Sequence, residues 1–428
     1  MTMLWIAALL IVLIAGGLPV AFALGVAGSA GLYLLGGLNF VVGFLHTTPL
    51  STVSTYELVT IPMFILMAEF LVVSGVVSDL FRAATIWMGR IKGGLAVSTV
   101  FTGAVLGATT GSSTASAATL AATTAMAMIR EGYEPRLVYG LVAITGTLAM
   151  LIPPSIAIII YGILAEVSIA KLLIAGIIPG AIVSLAIIIT VYVLILRNPS
   201  LAPVSQAYRW GEKLRQLTVA GPFVALFAVV TGLMYLGICT PTEAASLGAF
   251  SAMVLTAMRG RLSVGSTLHA LGRAARTTSM IALIIVGTHL FGYFLTLTQT
   301  TQSIVTGVTS LGLPPIVVLG FIVVLYILLG MFMDQIAILI LTVPILLPVV
   351  VGLGYDPIWF GILVIIVAEV GMVSPPIGLN VFVVARYTSA PIGDVFIGVF
   401  PHILAHFILI VLFIAFPELI LWLPSTMR

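Results

Sequence analysis

Long apolar runs alternate along this chain with short polar interruptions, and the interruptions differ in kind. Runs at 4–18, 20–35 and 61–77 approach the ~20 residues a bilayer crossing needs and predict early membrane spans. The stretch 79–94 carries Arg82, Arg90 and Lys92 opposite an apolar side of Leu80, Ala84 and Trp87, the pattern of an amphipathic helix lying in the membrane surface. Residues 95–127 are long enough to span, yet 107–116 read G-A-T-T-G-S-S-T-A-S, and Arg130 and Arg136 follow as Arg90 and Lys92 precede. Basic charge marks the cytoplasmic side. With both ends on that side, the run enters and returns as a re-entrant hairpin whose turn, 111–114, sits at depth. Two close-packed spans that use small residues at their interface are the alternative.

From 137 the chain crosses outward, breaks at Pro153-Pro154-Ser155, resumes to Leu164, and returns over 172–196. A polar linker, 197–218, holds Pro199, Pro203, Arg209, Lys213 and Arg215. The plan then recurs: a span at 219–236, a turn at 240–243, a basic stretch with Arg259, Arg261, Arg273 and Arg276, and a span at 281–297. An uncharged connection, 298–315, leads to a second hairpin over 314–347, its turn near 330–335 and Asp334 aligned with Ser112. A closing span covers 395–423 and leaves the C-terminus outside.

The strongest interruption is 371–380, G-M-V-S-P-P-I-G-L-N. Two prolines remove backbone donors and clash with the preceding turn, and Gly378 frees the backbone. Unwound backbone at membrane depth is tolerated only inside protein or against a watery cavity, where its carbonyls can hold a cation. The segment has an echo 222 residues earlier: G-Y-E-P at 132–135 then Pro153-Pro154, against G-Y-D-P at 354–357 then Pro375-Pro376. One unit used twice in opposite orientation is the inverted-repeat layout of secondary transporters. The expectation is an all-α polytopic membrane protein of two inverted repeats, 1–196 and 219–428, each with one re-entrant hairpin and one broken helix, at 153–155 and 374–380.

Composition narrows the class. Hydrophobic residues make up 61% and charged residues 7%, against roughly 25% charged in soluble domains, so a water-exposed globule is excluded. The formal charge of +3 is too small for a nucleic-acid binder. Of the 16 Lys and Arg, only Lys171 and Arg428 fall outside the segments read as cytoplasmic. Cys239 is alone and forms no internal disulfide. The chain runs from Met1 into apolar sequence without a basic leader or cleavage site, which predicts a retained first span.

Two similar pockets follow from the repeat. Gly111, Ser112, Ser113 and Thr114 with Pro153 and Ser155 form one; Met333 and Asp334 with Ser374, Pro375, Gly378 and Asn380 form the other. Hard oxygen ligands without clustered His or Cys suit Na⁺, and Asp334 leaves the second open to Na⁺ or H⁺. Ser113, Thr145, Thr147 and Asn380 are the candidate substrate contacts, because every arginine falls near a predicted interface. The alternative is that these small and polar residues serve kinks and packing alone. Glu369 can support the broken segment or relay a proton; Glu69 and Glu418 read as interfacial, and His402 and His406 as an i, i+4 pair without a third ligand. An enzyme would need Ser112 as nucleophile and a base such as His289, which nothing in the sequence positions. A passive anchor or channel is the other class.

The ordered set G-S-S-T-A-S-A-A at 111–118, G-Y-E-P at 132–135, T-P-T-E-A-A at 240–245 and S-P-P-I-G-L-N at 374–380 resembles the large, DctM-like membrane subunit of tripartite ATP-independent periplasmic (TRAP) transporters over the whole chain. Ser374 stands where many members have threonine, and the hydroxyl is kept. The resemblance implies an elevator-type, Na⁺-coupled importer of an organic acid such as a C4-dicarboxylate, sialic acid or another sugar or keto acid. It also implies two partners, a small four-helix membrane subunit and an extracytoplasmic substrate-binding protein, in the bacterial inner membrane. A stand-alone carboxylate symporter of related hairpin plan is the runner-up.

Overall fold

The structure is a computed structural model that describes residues 2–89, 91–203 and 208–427, so Arg90, Arg428 and linker positions 204–207 lie outside the described residues. Helices account for all regular structure among the described residues. Eight of them are long and apolar enough to cross a membrane, and four shorter apolar helices accompany them.

The recurring G-Y-[ED]-P motif has a local physical cause. Gly132 (φ +91°) and Gly354 (φ +89°) take the left-handed conformation that ends a helix. Two residues on, an acid caps the next helix: the Glu134 carboxylate accepts from Leu137 N at 2.7 Å, and Asp356 Oδ1 accepts from Ile358 N at 2.7 Å and Trp359 N at 3.0 Å. Pro135 and Pro357 follow as first helical residues, where a missing N–H costs nothing. T-P-T-E at 240–243 works alike, with Thr240 and Glu243 forming a reciprocal capping box before Pro241–Met258.

Several predicted boundaries move. The second span continues to Val53 as Val20–Val53, kinked at Gly37 (φ 70°). The surface helix is Val76–Met88, ending before the predicted 94. Trp210–Tyr235 begins inside the predicted linker, and a helix Thr300–Ser310 occupies the 298–315 connection. Val264–Leu297 is one unbroken helix of 34 residues, so Arg273 and Arg276 lie along it instead of in a polar stretch before it. Arginine is a good helix former, so the helix continues through the basic positions that precede its apolar part. The closing run divides at Phe416–Pro417 into Ile392–Ala415 and Glu418–Ser425.

Val20–Val53 and Val264–Leu297 cross so closely that a Cβ at Gly28 would stand 2.6 Å from Phe291 N. Thr60–Ser74 packs along Pro241–Met258, tied by Thr60 Oγ1 to Thr242 Oγ1 at 2.7 Å and by Thr256 Oγ1 donating to Phe70 O at 2.9 Å. Segment ends fall into two sets. Arg136 meets Asp394 at 2.8 Å, Arg259 meets Asp79 at 2.6 Å, Lys213 Nζ donates to Trp87 O at 3.1 Å, and Glu134 N donates to Leu201 O at 3.0 Å. The other set is joined by Tyr161 Oη donating to Pro357 O at 2.6 Å, Trp359 Nε1 to Phe413 O at 3.0 Å, and Tyr235 Oη with Thr426 Oγ1 at 3.0 Å.

Candidate functional site

Two helical hairpins carry the site. In the first, Gly94–Thr110 stops at Gly111 (φ +56°), and extended Ser112 caps Ser113–Leu120. Thr110 Oγ1 and Ser116 Oγ, 2.6 Å apart, bridge the turn, while Ser112 and Thr114 hydroxyls stand 3.2 Å apart. At the base, Thr99 Oγ1 donates to Met128 Sδ at 3.3 Å, so the two arms run antiparallel. The second hairpin joins Pro315–Phe332 to Gln335–Gly352 through extended Met333 and Asp334, whose carboxylate accepts from Ile336 N at 3.1 Å.

Each hairpin leans on a broken helix. Pro135–Thr147 tightens into Leu148–Met150, unwinds, and restarts at Ser155, whose hydroxyl donates to Met150 O and caps Ile156–Leu164. Pro357–Val373 ends at Ser374, whose hydroxyl donates to Val370 O at 2.7 Å, and Gly378 (φ +61°) opens Leu379–Thr388. Both Pro-Pro bonds, 153–154 and 375–376, are cis. Gly107 and Gly111 pack on Ala149 and Ile156, and Gly330 packs on Gly371, so each hairpin meets the broken helix of its own half.

Asn380 departs from that pairing. Its Nδ2 donates to Ser113 Oγ at 2.7 Å and to Ala143 O at 3.2 Å, which ties it to the first hairpin. The reason is helical phase: Leu379–Thr388 turns Asn380 inward, fully buried, while Pro375 is exposed. Gln335 Nε2 donates to Ile365 O at 3.1 Å. Ser113 and Gln335, like Ala143 and Ile365, stand 222 residues apart, the same offset as between the two Pro-Pro pairs. Asn380 Oδ1, Gln335 Oε1 and Thr145 Oγ1 are buried without a hydrogen-bond partner. Such orphaned acceptor oxygens fit a hard monovalent cation.

A cavity of about 430 Å³ opens at the hairpin tips. Thr110, Gly111, Ser112, Pro154 and Asp334 form one wall; Glu69 and Arg273, from Thr60–Ser74 and Val264–Leu297, stand on the other. Ser113, Thr145 and Thr147 do not line it; all three are fully buried behind it. Nor do Met333, Ser155, Ser374 and Gly378 reach its wall. Arg273 and Glu69, which the sequence places near interfaces, line this cavity together with the tips.

His289 faces a separate cavity of about 540 Å³, where its Nδ1 pairs with Thr52 Oγ1 at 2.9 Å, and Ser112 is absent from that lining. His406 Nδ1 is held on His402 O at 2.8 Å.

Residues 7–419 match the family described as tripartite ATP-independent periplasmic transporter, DctM component. The chain belongs to the DctM family. It is a multi-pass inner-membrane transporter permease subunit and not an enzyme, which removes the Ser112 and His289 reading. Among DctM relatives, the C4-dicarboxylate TRAP transporter large permease protein DctM of Pseudomonas aeruginosa is 32% identical over 373 residues, covering 86% of each chain. The 2,3-diketo-L-gulonate large permease YiaN of Escherichia coli is 30% identical and covers 95% of each. The sialic acid large permease SiaM of Vibrio cholerae is 28% identical, covering 96% of each. In fold, this DctM chain is similar to the YdaH transporter of Alcanivorax borkumensis, with a TM-score of 0.66 at 14% identity over 89% of this chain and 90% of that one.

Proposed function

We propose that this chain is the membrane carrier of a tripartite system that imports an organic acid, coupled to Na⁺, by elevator-type alternating access. In this reading the two hairpins and two broken helices form an inverted-repeat unit that moves against a scaffold containing the paired helices Val20–Val53 with Val264–Leu297 and Thr60–Ser74 with Pro241–Met258. The observation that carries it is the cavity between those two sets, walled on one side by both hairpin tips and on the other by scaffold helices. The equal spacing of the Ser113–Ala143 and Gln335–Ile365 contacts supports the repeat. An unwound helix end presents oxygens that need positive charge, so a hairpin closes over its pocket more readily with the cation present; that differential stabilisation couples ion to substrate. Relatives named for C4-dicarboxylates, sialic acid and a keto-sugar acid support an organic acid as cargo. The partners are a small four-helix subunit and an extracytoplasmic binding protein.

Reconstituted vesicles given the partner proteins test the coupling. Uptake follows an imposed Na⁺ gradient and falls to background in Na⁺-free buffer; undiminished uptake driven by pH alone would transfer the role to H⁺ at Asp334. Robust uptake without either partner would favour the stand-alone symporter.

Topology has its own check. In a Cys239→Ser background, a cysteine at position 130 is labelled from the cytoplasm and one at position 354 from the periplasm. Periplasmic labelling at 130 in intact cells would make the first hairpin two spans.

A further inference from the structure

Arg273 stands nine residues into Val264–Leu297, about 14 Å along its axis at 1.5 Å per residue. Its Nε lies 3.0 Å from Glu69 Oε1, and its side chain is 61% exposed against 14% for Glu69. Both line the cavity at the hairpin tips. Only Nε is engaged; among the described residues Nη1 and Nη2 have no hydrogen-bond or ion-pair partner. A guanidinium presents a planar fork that matches a carboxylate through two parallel hydrogen bonds, and here the fork's outer edge is free and open to the cavity.

We propose that Arg273 is the carboxylate-binding group of this cavity, and that Glu69 is its internal placeholder, exchanged for the carboxylate of the cargo. The proposal rests on the organic-acid reading above and names the residue that recognises the acid. A guanidinium facing a protein-walled cavity is costly to leave without counter-charge, and such a charge marks a place for an anionic ligand. Glu69 offsets that cost in the empty cavity without closing the guanidinium's free edge. Across the space, Asp334 places a second carboxyl group at the hairpin tips, which offers an anionic cargo no positive partner there. Cation at the tips and acid at Arg273 is the arrangement that balances both walls. Glu69, always at hand, competes with the bound acid and keeps it from being held too tightly to leave.

The test is direct binding to the full chain purified in detergent, by isothermal titration with succinate, sialic acid and 2,3-diketo-L-gulonate as separate probes. At least one acid binds the unmodified chain. Arg273→Gln weakens that acid about tenfold or more, as loss of a charge partner does, and Glu69→Gln tightens it. The double reversal Glu69→Arg with Arg273→Glu restores an ion pair and the thermal midpoint but not acid binding. Because an ion pair that serves only architecture would be rescued by the reversal, recovered binding in that variant overturns the proposal, as does wild-type affinity in Arg273→Gln. If none of the three acids binds the unmodified chain in Na⁺ buffer, and vesicles holding the partner proteins take up no organic acid, the organic-acid reading itself fails, apart from any role of Arg273.

Discussion

Asn380→Ala raises the Na⁺ concentration for half-maximal uptake about tenfold or more, a loss of ~1.4 kcal/mol per decade, and lowers the thermal midpoint. The fully buried amide holds Ser113 of one half and the Ala143 carbonyl in the other element of that half, from a helix that lies more than 200 residues away in sequence. Removing it leaves a buried hydroxyl without its partner, at about 1–3 kcal/mol, and takes away Oδ1, one of the orphaned acceptors. Na⁺ titration of uptake, with thermal unfolding read alongside, separates the two effects. Reduced stability with unchanged Na⁺ dependence would show that Asn380 joins the halves and does not contribute to a cation pocket.

Gly371→Val abolishes uptake. A Cβ at Gly371 would stand 2.6 Å from both Gly330 Cα and Ile327 O, and one at Gly330 would stand 2.8 Å from Gly371 Cα. All of these obstacles are backbone, which cannot swing aside as a side-chain tip can. In a bilayer, where lipid tails are as apolar as leucine, helices associate through such close contacts of small residues. Forcing the second hairpin off its broken helix costs about 3 kcal/mol or more and misplaces Met333 and Asp334 together. Gly320→Val lies on the same hairpin helix with no atom within 4 Å of its Cβ, and it retains uptake near the unmodified level. Equal uptake by the two variants in the vesicle assay would mean that the close approach is dispensable.

Much of the architecture was written locally. A left-handed glycine, an acidic cap and a first-turn proline act over four consecutive residues, so G-Y-E-P and G-Y-D-P each set a helix start by local chemistry alone. Proline pairs and the G-S-S-T turn likewise broke helices by backbone chemistry alone. Boundaries set by charge fared worse. Arg273 and Arg276 read from the sequence as a cytoplasmic stretch before the span at 281–297, because positive charge marks an interface, yet one helix runs through them.

By itself, the sequence determined that this is a helical membrane carrier with two interrupted hairpins and two interrupted helices, because caps, breaks and hydrophobic length are properties of short stretches. Only the tertiary structure decided that Asn380 reaches the first hairpin, that Thr145 and Thr147 lie behind the cavity wall, and that Glu69 and Arg273 face the tips across it. Those relations depend on the phase and crossing of helices packed from distant parts of the chain, and a residue's direction about its helix acquires meaning only when the neighbour on that side is in place.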